Sequence, residues 1–145
     1  MPAMQSNFFC LSSIWKWIIE IINITFDDNS FDFIMCNHVL EHILNDRKAM
    51  RELYRVLKVG GTALLNVPIF YIPVTFENPE YNTPELRFKY YGQSDHVRAY
   101  GLDYPQRLIE AGFSVEQVTL KNLDEITLKR YGVNKNEKMF LCRKE

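Results

Sequence analysis

No glycine occurs before Gly60, and the whole 145-residue chain has only six. A glycine-rich turn, the kind that lets backbone approach a bound nucleotide, is therefore missing from the first third of the sequence. Cysteine is scarce as well: Cys10, Cys36 and Cys142 are widely spaced, with no CxxC pair and no Cys/His finger spacing. That excludes a disulfide framework and a cysteine zinc cluster, and free thiols in a reducing cytoplasm are expected. Charge of either sign is not in excess, with 17 basic against 18 acidic residues. A phosphate-coating, nucleic-acid-binding role needs clustered Lys and Arg and is excluded on that ground. A membrane-spanning run of roughly 20 apolar residues is absent, since the stretch Ile14 to Ile24 is short and carries Lys16 and Glu20. The opening MPAMQSNFFCLSS lacks the basic start and small-residue cleavage site of a signal peptide, so a cytoplasmic, membrane-free protein is expected.

What is present is a globular composition. Hydrophobic residues make up 47% of the chain, enough to argue against disorder, and the length suits one domain. There is no internal repeat. Ile18 to Ile24 is short, apolar and β-branched and reads as a strand, although Trp15 to Glu20 also fits a helix. FDDNS, Phe26 to Ser30, is a turn by composition. FDFIMC, Phe31 to Cys36, reads as a buried strand. Ala49, Met50, Leu53, Val56 and Leu57 recur at three- and four-residue spacing and predict a helix from Asp46, capped by Asn45 or Asp46 and closed by Gly60. TALLNVP, Thr62 to Pro68, is the continuous apolar run of a strand buried on both faces. Past a long segment, DYPQRLIEAGF predicts a helix with Pro105 in its first turn and Gly112 beyond its end. Ser114 to Leu120 predicts a strand, Asn122 to Gly132 a short helix, and Lys138 to Arg143 a last strand. Such alternation implies an α/β layered sheet.

The stretch CNHVLEHILND places Asn37, His38, Glu41 and His42 immediately after a strand. At i, i+3 and i+4, His38, Glu41 and His42 could share one face of a helical turn, and imidazole with carboxylate makes a competent metal-ligand set. The plainer reading is a helix start in which Glu41 and His42 cap and orient the first turn.

The run DNSFDFIMCNHVLEHILNDRKAMRELYRVLKVGGTALLNVP, followed by QSDHVRAYGLDYPQRLIEAGFSVE, resembles the class I S-adenosylmethionine-dependent methyltransferases of the broad small-molecule group called type 11. The resemblance covers about Glu20 to Arg143. It implies a Rossmann-like methyltransferase fold, with Phe31 to Cys36 as the fourth strand, Thr62 to Val67 as the fifth, and the last two strands as an antiparallel pair. It also implies S-adenosyl-L-methionine as cofactor, bound at the carboxyl ends of the parallel strands. The family's opening strand, glycine turn and ribose-holding acid have no counterpart here. The sequence thus resembles the second half to two thirds of such an enzyme: a single N-terminally truncated domain, with residues 1–17 divergent. The function implied is methyl transfer to a small-molecule acceptor. The alternative is a non-catalytic remnant that associates with itself or with a complementing chain.

The resemblance also implies residue roles. Glu20 stands where the family has an acid accepting from the adenine amino group, the alternative being a solvent-facing charge. Cys36, Asn37 and His38 end the fourth strand, where backbone meets the methionine portion of the cofactor. His38 would face cofactor or acceptor. His96, in QSDHVRAY, would serve as general base or acceptor clamp, against the alternative of a loop anchor. Arg98 is expected at the surface. Residues 68–101, with eight aromatic residues and no regular structure expected, would form a lid or acceptor loop. Most family members with LEHI use no metal, so none is expected, and a metal-dependent enzyme using His38, Glu41, His42 and His96 is the weakest alternative.

Overall fold

The structure, a computed structural model, describes residues 7–11 and 21–145. Its sheet has five strands: β1 (Phe8–Leu11), β2 (Phe31–Asn37), β3 (Leu57–Asn66), β4 (Ser114–Thr119) and β5 (Lys138–Arg143). They are ordered β1-β2-β3-β5-β4, with β1, β2 and β3 parallel and β5 antiparallel to both β3 and β4. The helices are α1 (Asp46–Val56), α2 (Pro84–Tyr91), α3 (Tyr104–Glu110) and α4 (Glu125–Tyr131). This is the expected α/β arrangement of parallel strands plus a closing antiparallel pair.

The buried runs behave in part as the sequence implied. Ile34 and Cys36 of β2 and Ala63 and Leu65 of β3 are fully buried, whereas Phe33, Met35, Thr62 and Leu64, which alternate with them, are half-buried, so these strands bury one face more deeply than the other and not both alike. Ala49, Met50, Leu53 and Val56 bring the apolar stripe of α1 into the same core, and Asn45 caps the helix by accepting from the Lys48 amide. Tyr104, Leu108 and Phe113 enter it from α3 and its C-terminal turn.

Three expectations need correction. The strand placed over Ile18 to Ile24 fails where it can be read: Ile21–Ile24 is turn and bend, while 18–20 lie outside the described residues. The backbone of Ile24 goes to side chains of α1 instead of a ladder, its amide to Glu52 and its carbonyl to Arg55. The first strand is Phe8–Leu11, a stretch without period-two alternation. Gly60 does not close α1. The helix stops at Val56 because Leu57 turns extended to pair with Phe31, and Gly60, at φ 80°, bends the strand that follows. Residues 68–101 are not irregular throughout: Thr83 accepts from the Leu86 amide to start α2, and Gly92 ends it at φ 85°. Backbone bridges Ile69–Tyr100 and Phe76–Ala99 close the segment on itself. Among the described residues, no helix is long and apolar enough to cross a membrane.

Candidate functional site

The C-terminal tips of β2 and β3 lie side by side. Asn37 is in register with Asn66, and the His38 amide donates to the Asn66 carbonyl at 2.9 Å. Asn66 is itself fixed, because its side-chain oxygen accepts from the Phe140 amide at 3.0 Å. In the parallel β1, Leu11 is in register with Cys36, so three strands end at one edge. His38 leaves that edge at φ 54°, a left-handed conformation uncommon for a residue with a side chain, and worth noting at a strand tip. A groove of about 160 Å³ opens there, lined by His38, Asn66, Val67, Ile69, Tyr71 and Lys138 among others.

Behind the tip the chain makes one 3-10 turn, Leu40–His42, and buries it. Glu41 is 1% exposed, and neither carboxylate oxygen has a hydrogen-bond partner. Its nearest cation is His38 Nδ1 at 3.5 Å, an ion-pair distance too long for a sound hydrogen bond. The neighbouring Glu41 carboxylate raises the pKa of the His38 imidazole. His42 is also buried, its Nδ1 at 3.3 Å from both the backbone oxygen and a carboxylate oxygen of Asp95. The expected capping role of Glu41 and His42 is therefore not what they do. Asn45 caps the helix, and the tight turn carries Glu41 and His42 inward.

The Val97 amide donates to the Glu41 carbonyl at 2.9 Å, and with the Arg98 bonds to the Leu40, Ile43 and Leu44 carbonyls it brings His96 to the turn. The His96 ring meets His42 edge to face with centroids 4.7 Å apart, and its Nδ1 is buried without a partner. Burial first, then the His42 ring, depresses the His96 pKa. His38, Glu41, His42 and His96 thus gather in one place, with His38 at the rim and the other three beneath it.

Arg98 is not at the surface. At 2% exposure its guanidinium donates to the carbonyls of Leu40, Ile43 and Leu44 and to Glu77. It lies 3.7 Å from Asp46, whose carboxylate also receives Arg107 at 3.0 Å and the Tyr100 hydroxyl at 2.7 Å. Glu77, Tyr100 and Arg107 were not singled out by sequence reasoning, and Asp46 was named only as a candidate helix cap. The signal available was HVRAY itself, an arginine between apolar positions on a segment bound to pack. The aromatic segment divides: Tyr91 and Tyr100 are core, whereas Tyr71 and Phe88 are exposed. Cys36 is fully buried, which raises its thiol pKa well above the ordinary value and leaves only its backbone for a ligand. Glu20 lies outside the described residues.

Residues 17–65 match the protein family described as methyltransferase domain. Among curated proteins, an uncharacterized protein of Methanocaldococcus jannaschii is 43% identical over 52 residues, covering 36% of this chain and 23% of the relative. The uncharacterized methyltransferase YcgJ of Bacillus subtilis is 46% identical over 43 residues, covering 30% of this chain and 17% of the relative. The matches thus span less than a quarter of either relative. Among solved structures, YcgJ superposes with a TM-score of 0.52 at 19% identity, over 86% of this chain and 69% of its own. Haemonchus contortus phosphoethanolamine N-methyltransferase 2, solved in complex with S-adenosyl-L-methionine, gives 0.53 at 16% identity, over 86% of this chain and 35% of its own.

Proposed function

We propose, for a chain with the class I S-adenosylmethionine-dependent methyltransferase fold and a methyltransferase-domain sequence over residues 17–65, that it serves methyl transfer from S-adenosyl-L-methionine to a small-molecule acceptor. The observation carrying this reading is the pairing of Asn37 with Asn66 at the C-terminal edge of the parallel strands, where open α/β sheets take their ligands. The residues present suit one end of that cofactor. Asn37 Oδ1 is buried without a partner, an acceptor available to an ammonium group, and the backbone of Cys36 and Asn37 ends beside it. They offer less to the nucleoside end: no glycine precedes Gly60, and among the described residues the one acid lining the groove is Glu137, just before β5. A groove of about 160 Å³ is also smaller than the several hundred cubic ångströms typical of ligand sites.

When bound, the cofactor supplies a methyl group on a good leaving group, so the protein's share is positioning and exclusion of water. His38, with its side chain 58% exposed at the groove and steadied by Glu41, is the side chain proposed to take the acceptor's proton. His96 is buried against the His42 ring and is not among the residues lining the groove, so its proposed part is positioning. Residues 68–101 are proposed to cover the acceptor, with exposed Tyr71 and Ile69 facing the groove.

Calorimetric titration with S-adenosylhomocysteine is the test. Saturable heat is expected, and a stoichiometry of one per two chains would show that a second copy completes the site. With methyl-labelled cofactor and a panel of hydroxyl and amine acceptors, His38→Ala should lower turnover about 10²- to 10⁴-fold, because it removes a proton acceptor and leaves the strand-tip backbone intact. Absence of heat at any concentration overturns the reading.

A further inference from the structure

We infer that Glu41, His42 and His96 form a binding site for a divalent first-row transition metal ion of the zinc type. One ligand atom from each lies within 4.8 Å of the others, and all three residues are buried. This reverses the expectation that no metal is used, and it stands whether or not the methyltransferase reading holds.

The argument begins with Glu41. A carboxylate at 1% exposure with neither oxygen hydrogen-bonded is among the costliest groups a fold can hold, unless a cation compensates it. Arg98 and Arg107 are the buried cations nearby, and both are committed to Asp46 and Glu77. What faces Glu41 instead is a pair of imidazoles. His42 Nδ1 is turned to Asp95, which leaves its Nε2 as the free nitrogen, and a carboxylate behind a ligating histidine is the usual way of fixing its tautomer. His96 has Nδ1 buried and unpartnered, while the Tyr91 backbone bonds its ring. Two neutral imidazoles and one carboxylate give a three-donor, singly negative set that leaves a fourth tetrahedral position open. His38, with Nδ1 3.5 Å from Glu41, lies outside the three-residue cluster.

Donor chemistry selects the ion. Imidazole suits zinc and its neighbours, whereas magnesium and calcium call for oxygen ligands. Donors in a tetrahedral zinc site lie about 3.3 Å apart, given bonds near 2.0–2.1 Å, so the ion would draw this cluster in from its 4.8 Å span. His42 and Asp95 also line a cavity of about 670 Å³, which brings solvent to one member of the cluster.

The test uses the intact chain stripped of metal by chelation, then titrated with zinc chloride, with cobalt as a spectroscopic substitute. One zinc per chain is expected, along with the visible absorption of tetrahedral cobalt. Zinc-edge X-ray absorption should show nitrogen and oxygen neighbours with histidine scattering and no sulfur. Glu41→Gln and His96→Asn should each weaken zinc at least 100-fold, and Asp95→Asn about 10-fold. No uptake by the unaltered chain, a sulfur shell, or affinity unchanged in Glu41→Gln and His96→Asn overturns the inference. Because the unaltered chain alone gives the stoichiometry and the ligand shell, a variant that fails to fold leaves the test decisive.

Discussion

Arg98→Ala should remove about 3–5 kcal/mol of stability, the cost of breaking a buried ion pair and leaving its partners uncompensated. For a domain whose whole stability is of order 5–15 kcal/mol, that is a major fraction. The side chain does two things at once. Its guanidinium gathers the carbonyls of Leu40, Ile43 and Leu44 around the 3-10 turn, and it faces Asp46 and Glu77. Arg98→Lys keeps the charge but loses the planar fork, so it should recover less than half of the loss. Urea unfolding of the three proteins measures this directly. A loss below about 1 kcal/mol for Arg98→Ala would place the guanidinium among surface ion pairs, contradicting its burial.

Gly101→Ala should be nearly as damaging, at about 3 kcal/mol, toward the upper end for forcing atoms into a packed site. An added Cβ would come within 2.7 Å of the Val74 carbonyl carbon, 2.8 Å of the Ile72 carbonyl oxygen and 2.8 Å of the Thr75 nitrogen. All three are backbone atoms, so no side-chain rotation relieves the contact. The strand of chain 72–76 would have to lift away. That would break the Leu102–Ile72 bond and the paired bonds between Phe76 and Ala99, and would disturb Asp103, which holds the Thr75 amide and hydroxyl. Hydrogen exchange reads it out: the Phe76, Ala99 and Leu102 amides should exchange faster in the variant, while β2 and β3 amides stay protected. Unchanged protection at those three amides would show that the segment accommodates a methyl group and is not bound as described.

Much of the fold was legible because burial is written into composition. The strands Phe31–Asn37, Ser114–Thr119 and Lys138–Arg143, the stripe on α1, and Pro105 and Gly112 around α3 followed from period, propensity and caps. The failures have physical causes. Phe8–Leu11 is a four-residue strand whose one ladder among the described residues is to β2, so tertiary pairing rather than sequence pattern makes it. Gly60 looked like a helix stop, but the competition was won by Leu57, whose pairing with β2 ends α1 three residues earlier.

The strand-tip residues Cys36, Asn37 and His38 were expected at the site from resemblance, and the structure places Asn37 and His38 beside Asn66. The closeness of His96 to Glu41 and His42 could not be read from spacing, since more than fifty residues intervene and long-range bonds such as Val97 to Glu41 and Arg98 to Leu40 set the register. Arg98 was misjudged because arginine is mostly exposed and only its three carbonyl partners, invisible in sequence, reverse that prior.

The central claim is that the tips of β2 and β3 hold one end of S-adenosylmethionine. An amide chemical-shift titration with S-adenosylhomocysteine tests it most directly. The largest shifts are expected at Asn37, His38, Asn66 and Val67, with the Gln117 and Val118 amides of β4 unmoved. Saturating shifts confined elsewhere, or none at those four residues, would contradict it.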